Sequence, residues 1–381
     1  MRRRIYLDYN AGAPLDGRVR AAIEPVRGET PGNPSSIHAF GRDARVLLEE
    51  ARATLASLLG AADKDEIVFV SGGTEADNLA VLGVALARAD QGRHVVTSAV
   101  EHPAVLAACE VLEKTGFTVT ALPVDAEGRL DPADLHRALR PDTILVSLMH
   151  ANNETGVLFD VPALAAVARA AGVPVHTDAV QSFGKVPVRV GDLGVDLLSL
   201  SGHKIGGPAG SGALYVRTGV RLSPRLVGGS QERERRAGTE NLAAAVGLAA
   251  AAALAVGERE AEAARLGELR DRLEARLQER IRAVAINGAG PPRLPQTSNL
   301  AFPGVEAEEL LAALDLAGFA CSAGAACSAG ALEPSHVLRA MGLPPERVRG
   351  SIRISLGRET TAEEVDALLE ALPVLVARCR G

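Results

Sequence analysis

Short apolar, β-branched runs alternate with helical patterns through the first two-thirds of the chain. Ile67–Val70 and the runs 95–98, 119–123, 144–148 and 173–177 are brief and bounded by Gly, Pro or charge, as strands are. The segments 75–88, 103–115, 132–139 and 162–171 between them carry helical patterns. Three of these helices begin with Pro at or near the first turn, where its fixed φ is preorganised, and Asp131 before Pro132 is a natural N-cap. Strand-helix-strand crossovers of this length predict a mainly parallel sheet covered by helices on both faces. The Ala-rich stretch 242–257 falls short of the roughly 20 residues that span a bilayer and reads as a buried helix. Beyond about residue 257 the pattern changes to a charged helix, 258–282, and a Gly/Pro-rich linker, 287–295. A smaller α+β lobe follows: strand 297–302, helix 306–316, a Gly/Ala/Ser/Cys loop, strand 351–355 and helix 361–378.

Composition narrows the function classes. The 381 residues are 47% hydrophobic and 23% charged, which is globular and excludes a disordered or collagen-like chain. A net charge of −6 offers no bulk positive field for nucleic acid or membrane. Cys109, Cys321, Cys327 and Cys379 are too few for a disulfide scaffold in a chain this long. The charged start Met1-Arg-Arg-Arg has no apolar run behind it, so a secretory signal is not expected and the protein is expected to be cytoplasmic. The lysines are Lys64, Lys114, Lys185 and Lys204, with Arg at every other basic position.

Open α/β sheets bind ligands beyond the carboxyl ends of their strands. After Ile67–Val70 comes Ser71-Gly-Gly-Thr-Glu75, whose small residues and free helix-start N–H groups suit a phosphate. The same residues also suit an ordinary tight turn with Thr74 as N-cap. His102, Asn153 and the pair Asp178 and Gln181 follow the next strands, so polar groups converge where a pocket is expected. Lys204, in Ser201-Gly-His-Lys204, sits among small residues that leave room around its amine, as Schiff-base chemistry requires. Lys64, Lys114 and Lys185 read as surface or loop lysines. Pyridoxal phosphate needs a phosphate cradle, an acid for its ring nitrogen and a lysine. Thr74, Asp178 and Lys204 fill these roles. Cys321 and Cys327 lie in a run of Ser, Ala and Gly, where an exposed thiol can act as nucleophile. Buried small hydrophobes or a disulfide remain alternatives. Metal binding is not expected, because Cys-x5-Cys lacks the usual close spacing and no second pair exists. Cys109 and Cys379 read as structural or incidental.

Taken together, Tyr6-Leu-Asp-Tyr-Asn-Ala11, Ser201-Gly-His-Lys204, Arg236-Ala-Gly-Thr-Glu-Asn241, Ala326-Cys-Ser-Ala-Gly-Ala-Leu-Glu-Pro-Ser335 and Ile352-Arg-Ile-Ser-Leu-Gly-Arg358 resemble the cysteine desulfurases of the NifS/IscS type, over essentially the whole chain. The cysteine loop resembles that of the longer-loop group. The resemblance implies fold type I of the pyridoxal-phosphate enzymes, α/β, in the class V aminotransferase superfamily. A large domain with a seven-stranded-type, mainly parallel sheet would span 15–257, and a smaller α+β domain 1–14 with 258–381. It further implies that Lys204 binds the cofactor covalently and that Gly73, Thr74, Ser201 and His203 hold its phosphate. Thr239 would reach in from the partner of a homodimer with shared active sites. Asp178 would meet the ring nitrogen, Gln181 the ring hydroxyl and Asn153 the ring's side. His102 would stack on the ring and assist proton transfer, while Asn33 and Arg353 would grip the substrate carboxylate.

The implied reaction converts L-cysteine to L-alanine and leaves a persulfide on Cys327 for an acceptor, such as an iron–sulfur scaffold or a tRNA-thiolating enzyme. Three departures from the family pattern stand out. Gly12-Ala13 replaces two threonines, Glu234 replaces a small residue, and Cys321 is an extra thiol that is expected to do nothing. A selenocysteine lyase or a transaminase-like enzyme of the same superfamily is the nearest alternative; a transaminase needs no thiol such as Cys327. A non-catalytic sulfur-carrier or scaffold subunit is the alternative from another class.

Overall fold

A computed structural model describes residues 4–29, 32–324 and 334–380. Seven strands form one sheet in the spatial order Ile67–Val70, Gly212–Val216, Leu197–Ser201, Val175–Asp178, Thr143–Ser147, His94–Ser98, Thr118–Leu122. Gly212–Val216 is antiparallel to both its neighbours and every other pairing in this sheet is parallel, so six carboxyl ends share one edge. Successive side chains of a strand point to opposite faces, and here both faces are dry. Ile67 and Phe69 join one hydrophobic cluster while Val68 and Val70 join another, and Val96 and Val95 divide the same way. Helices Gly73–Ala87 and Pro103–Lys114 cover one face, and Ala39–Leu59, Val161–Ala170 and Leu242–Arg280 cover the other.

A second apolar cluster gathers Leu7, Leu273, Leu277, Leu300, Leu310, Ile352, Ile354 and Leu368 around a three-stranded antiparallel sheet. That sheet is ordered Ser351–Ser355, Thr297–Ala301, Ala285–Ile286, and helices Ala307–Ala317 and Ala362–Cys379 pack against it. The N-terminal segment runs along this region, with Ile5–Tyr6 paired in parallel to Phe319–Ala320. It then crosses to the large sheet at Asn10.

One sequence expectation changes. The stretches 242–257 and 258–282 are not separate helices: Leu242–Arg280 is one helix of 39 residues. Gly257 lies within it, since a helical glycine costs only about 1 kcal/mol relative to alanine and packing outweighs that. The apolar half packs on Gly17–Glu29 and Ala39–Leu59, two helices for which the sequence reading had no expectation. Near the large sheet's edge, Glu232, Arg233 and Glu234 all adopt positive φ, 46°, 55° and 63°. Non-glycine residues seldom do so, and the turn is held by the buried Glu232 carboxylate. That carboxylate accepts from Arg52 at 2.7 and 2.8 Å and from the Phe69 N–H at 2.9 Å.

Candidate active site

The shared strand edge opens on a cavity of about 450 Å³ lined by Asn10, Gly72–Thr74, Asp77, His102, Asn153, Asp178, Gln181, Ser201, His203, Lys204 and Arg353. Each side chain arrives for a local reason. Ile67–Val70 ends in a turn whose Gly72, at φ 155°, caps the helix Gly73–Ala87; Thr74 is thus within the first turn rather than its N-cap. A Cβ on Gly73 would stand 2.8 Å from Val180 Cγ2, so only glycine lets this turn lie against the next strand end. The helix-start N–H groups therefore face the cavity beside Thr74 and Ser201, an anion cradle. Ser201 Oγ and His203 Nδ1 are 2.9 Å apart, and burial pushes the His203 imidazole down to about 4.

Lys204 ends the short turn after Leu197–Ser201. Its Nζ donates to the carbonyls of Asn10 at 2.6 Å and Ala11 at 3.0 Å. Asn10 is a hub: its amide donates to Thr297 Oγ1 at 2.9 Å and its carbonyl also accepts from Gln181 Nε2 at 2.9 Å. Asp178 is buried at the end of its strand and accepts the Val180 N–H at 2.8 Å. Burial raises its carboxyl, while His102, the Val180 N–H and Lys204 pull the other way. Such an acid suits a cationic ring nitrogen, which would restore its charge. Asp77 lies in the same cavity with Oδ1 outside any hydrogen bond and 3.7 Å from His176 Nε2, and burial and the nearby Asp178 raise its carboxyl.

His102 caps Pro103–Lys114, its Nδ1 accepting the Ala104 N–H at 3.1 Å. A backbone N–H can only donate, so the neutral ring carries its proton on Nε2. Burial holds the imidazole below its ordinary value and keeps it neutral. Arg353, on the central part of Ser351–Ser355, is 1% exposed, donating to Asp8 Oδ1 at 2.7 Å and to the Asn153 carbonyl at 3.0 Å, with Nε unpartnered.

The cavity thus collects Gly73, Thr74, His102, Asn153, Asp178, Gln181, Ser201, His203, Lys204 and Arg353. Asn33 lies elsewhere: it is exposed, and its Oδ1 accepts the Ser35 N–H at 2.8 Å. Thr239 lines a neighbouring cavity of about 160 Å³ with Ser71 and Arg236. Cys327 lies outside the described residues. The described chain on either side of it meets one carboxylate: Ser335 Oγ donates to Glu154 Oε2 at 2.5 Å, and a Cβ on Gly324 would lie 3.2 Å from that oxygen. Burial pushes the thiols of Cys321 and Cys109 up to about 12, which fits their expected inert character.

Lys185 lies in a turn, as a surface or loop lysine was expected to, but not at the surface. It is part-buried, with Nζ donating to Gln181 Oε1 at 3.1 Å, and burial pushes its amine down to about 7. Asn10 and Asp77 also went unassigned in the sequence; Asn10 sits in the 6–11 motif and Asp77 in the helical stretch 75–88, but their roles depend on what folds against them.

The residues of this cavity fit pyridoxal phosphate: a glycine cradle with hydroxyl donors, a buried acid, and a lysine amine. The family model described as aminotransferase class-V matches residues 5–368. A protein of Dictyoglomus turgidum named cysteine desulfurase IscS is 50% identical over 380 residues, covering 100% of this chain and 96% of its own length. A solved structure titled NifS-like protein superposes with a TM-score of 0.92 at 35% identity, covering 98% of this chain and 100% of its own. Another, titled SspA in complex with cysteine, gives a TM-score of 0.82 at 36% identity, covering 92% and 98%.

Proposed function

The chain belongs to the class-V aminotransferase family, and from that premise we propose that it is a pyridoxal-phosphate-dependent cysteine desulfurase. The observation that carries the reading is the convergence of Lys204, Asp178, His102 and Arg353 on one cavity beside the Gly72–Thr74 turn. When bound, the cofactor supplies an electron sink for the substrate's α-carbon. Gly73, Thr74, Ser201 and His203 would hold its phosphate, Asp178 would meet its ring nitrogen, Gln181 its ring hydroxyl, and Asn153 its side. Lys204 would link to it and move a proton at the substrate's α-carbon. His102, whose Nδ1 accepts the Ala104 N–H and whose proton is therefore on Nε2, would deliver or receive a proton in the same cavity. Arg353 receives the substrate carboxylate on its fork, a role supported by its unpartnered, buried Nε. Asn33 is the second group assigned to that carboxylate, and its exposure means that it must be brought to a site from outside this cavity.

In the sulfur step, the Cys327 thiolate attacks the substrate's sulfur. The carbon–sulfur bond breaks, a sulfur–sulfur bond forms, and L-cysteine plus the Cys327 thiol become L-alanine plus the Cys327 persulfide. The acceptor is an iron–sulfur scaffold protein or a tRNA-thiolating enzyme of the cytoplasm. The protein works as a homodimer in which Thr239 completes the partner's phosphate site; its absence from its own chain's cavity supports this. The division into 15–257 and 1–14 with 258–381 belongs to the same reading, supported by the separate apolar cluster around Leu7, Leu300 and Ile352.

The test is to incubate the purified protein with L-cysteine and a thiol reductant and to quantify alanine and sulfide, with Cys327→Ser alongside. Equal alanine and sulfide from the wild type, nearly lost in the variant, is expected. Undiminished turnover in the variant would remove Cys327 from the reaction.

A further inference from the structure

Lys185 touches the lining residue Gln181 but does not itself line the cavity of the site, and nothing in the reaction above uses it. It follows Gly184, whose φ is 76° and where a Cβ would stand 2.6 Å from Ala255 Cβ, so this turn is pinned to the helix Leu242–Arg280. The Lys185 N–H donates to the Ser182 carbonyl at 3.0 Å, which fixes where the side chain starts. Its Nζ then reaches Gln181 Oε1 at 3.1 Å. Gln181 Nε2 in turn donates to the Asn10 carbonyl at 2.9 Å, the same oxygen that accepts from Lys204 Nζ at 2.6 Å.

We propose that Lys185 is a positioning residue: it holds the Gln181 side-chain amide by its oxygen, so that the N–H groups are turned toward Asn10 and the cofactor cavity. This rests on the reading of Gln181 as the partner of the ring hydroxyl. A glutamine amide has one acceptor end and one donor end, and a lysine amine facing the acceptor end excludes the flipped orientation. One Nε2 hydrogen serves Asn10, and the other remains for the cavity that Gln181 lines. The amine has hydrogens to donate whether charged or neutral. Burial and the like charges of Lys204 and Arg353 push it down to about 7; the ammonium can only donate, and where the amine is neutral the Asn10 carbonyl at the other end of the amide keeps the same orientation. On its other side Lys185 borders a second cavity of about 360 Å³, where Arg18, Arg259 and Arg358 are interspersed with Asp16, Glu262 and Glu359.

The experiment uses holoenzyme carrying Lys185→Met, Gln181→Leu, both, or Lys185→Arg. The visible band of the bound cofactor is followed from neutral to alkaline pH, with cofactor content and melting temperature measured on the same samples. A donor aimed at the ring oxygen favours its anionic form, so losing the donor makes that oxygen more basic and raises the midpoint. Each uncharged single variant is expected to raise it by about one pH unit at unchanged cofactor content. The double variant should move no further than Gln181→Leu alone, because both changes remove one interaction. Lys185→Arg, which still donates, should stay near the wild type. An unmoved midpoint in cofactor-replete Lys185→Met overturns the proposal, as do additive shifts in the double variant, which would make Lys185 an independent charge. A midpoint that moves in Lys185→Met but not in Gln181→Leu means instead that Gln181 does not serve the ring hydroxyl. Should Lys185→Met not accumulate as folded protein, Lys185→Gln, too short to reach Gln181, takes its place with the same expected shift.

Discussion

Arg353 is a buried cation with one carboxylate, one carbonyl and a free Nε position, so the substrate carboxylate completes its set of acceptors. Replacing it by lysine keeps a charge but loses the planar fork. Arg353→Lys should raise the KM for cysteine by about 10- to 100-fold, with a smaller change in kcat, in steady-state assays at saturating cofactor. Glu101 makes a different prediction. Its Oε1 accepts from Ser98 Oγ at 2.5 Å and the Met149 N–H at 3.0 Å, while Oε2 is buried without a partner. Burial raises its carboxyl to about 8. A folded-state value above the unfolded one means that the stability it confers is full below the unfolded value and is lost as pH rises through about 8. The melting-temperature advantage of Glu101→Gln over the wild type should therefore grow as the buffer is taken from mildly acidic to alkaline; a difference that does not change with pH would contradict the assignment. Lys204 and Asp178 were legible in the sequence because small neighbours and strand-end position are local signals. Lys185 was not, because a lysine's burial is decided by a helix that arrives some 60 residues later, carrying Ala255.

At the scale of elements, local chemistry was a good guide to the starts and ends of the short helices and a poor one to the boundary inside the long one. Asp131 does cap Pro132–Ala138, its Oδ1 accepting the Ala133 N–H at 2.8 Å. Ile67–Val70 and Ser351–Ser355 have the bounds expected, and most other strands are displaced by a residue or two. Leu197–Ser201 and Gly212–Val216 were not recognised, since the motif between them drew attention to its chemistry rather than to its flanks. The join at Gly257 was read as a boundary because composition changes there, but a change from Ala to Glu and Arg alters which face is wet and not whether the helix continues. Gly257 is exposed, is not at positive φ, and a Cβ there would meet nothing within 4 Å. Gly257→Ala should consequently stabilise the protein by roughly 0.5–1 kcal/mol, seen as a higher denaturation midpoint at unchanged slope.

For the whole molecule, the layered sheet and the smaller α+β region followed from the alternation of runs, since short, largely apolar strands and crossover length are written along the chain. What a neighbouring copy supplies is not written there, because a residue such as Thr239 carries no mark of whose cavity it enters. Co-expression of a Lys204→Ala chain with a Thr239→Ala chain tests it: a mixed pair would hold one site with both residues intact. Cofactor retention and sulfide release in the mixed preparation should exceed those of either variant alone, and equality with their average would show that Thr239 acts within its own chain. The unbroken helix Leu242–Arg280 adds a constraint on how this protein can change over evolutionary time. It begins beside the large sheet and ends in the cluster that supports the strand bearing Arg353. One inserted residue would turn everything beyond it by about 100° and advance it by about 1.5 Å, like a key cut one notch out of place. Length variation among descendants should therefore collect in surface turns and be purged from this helix.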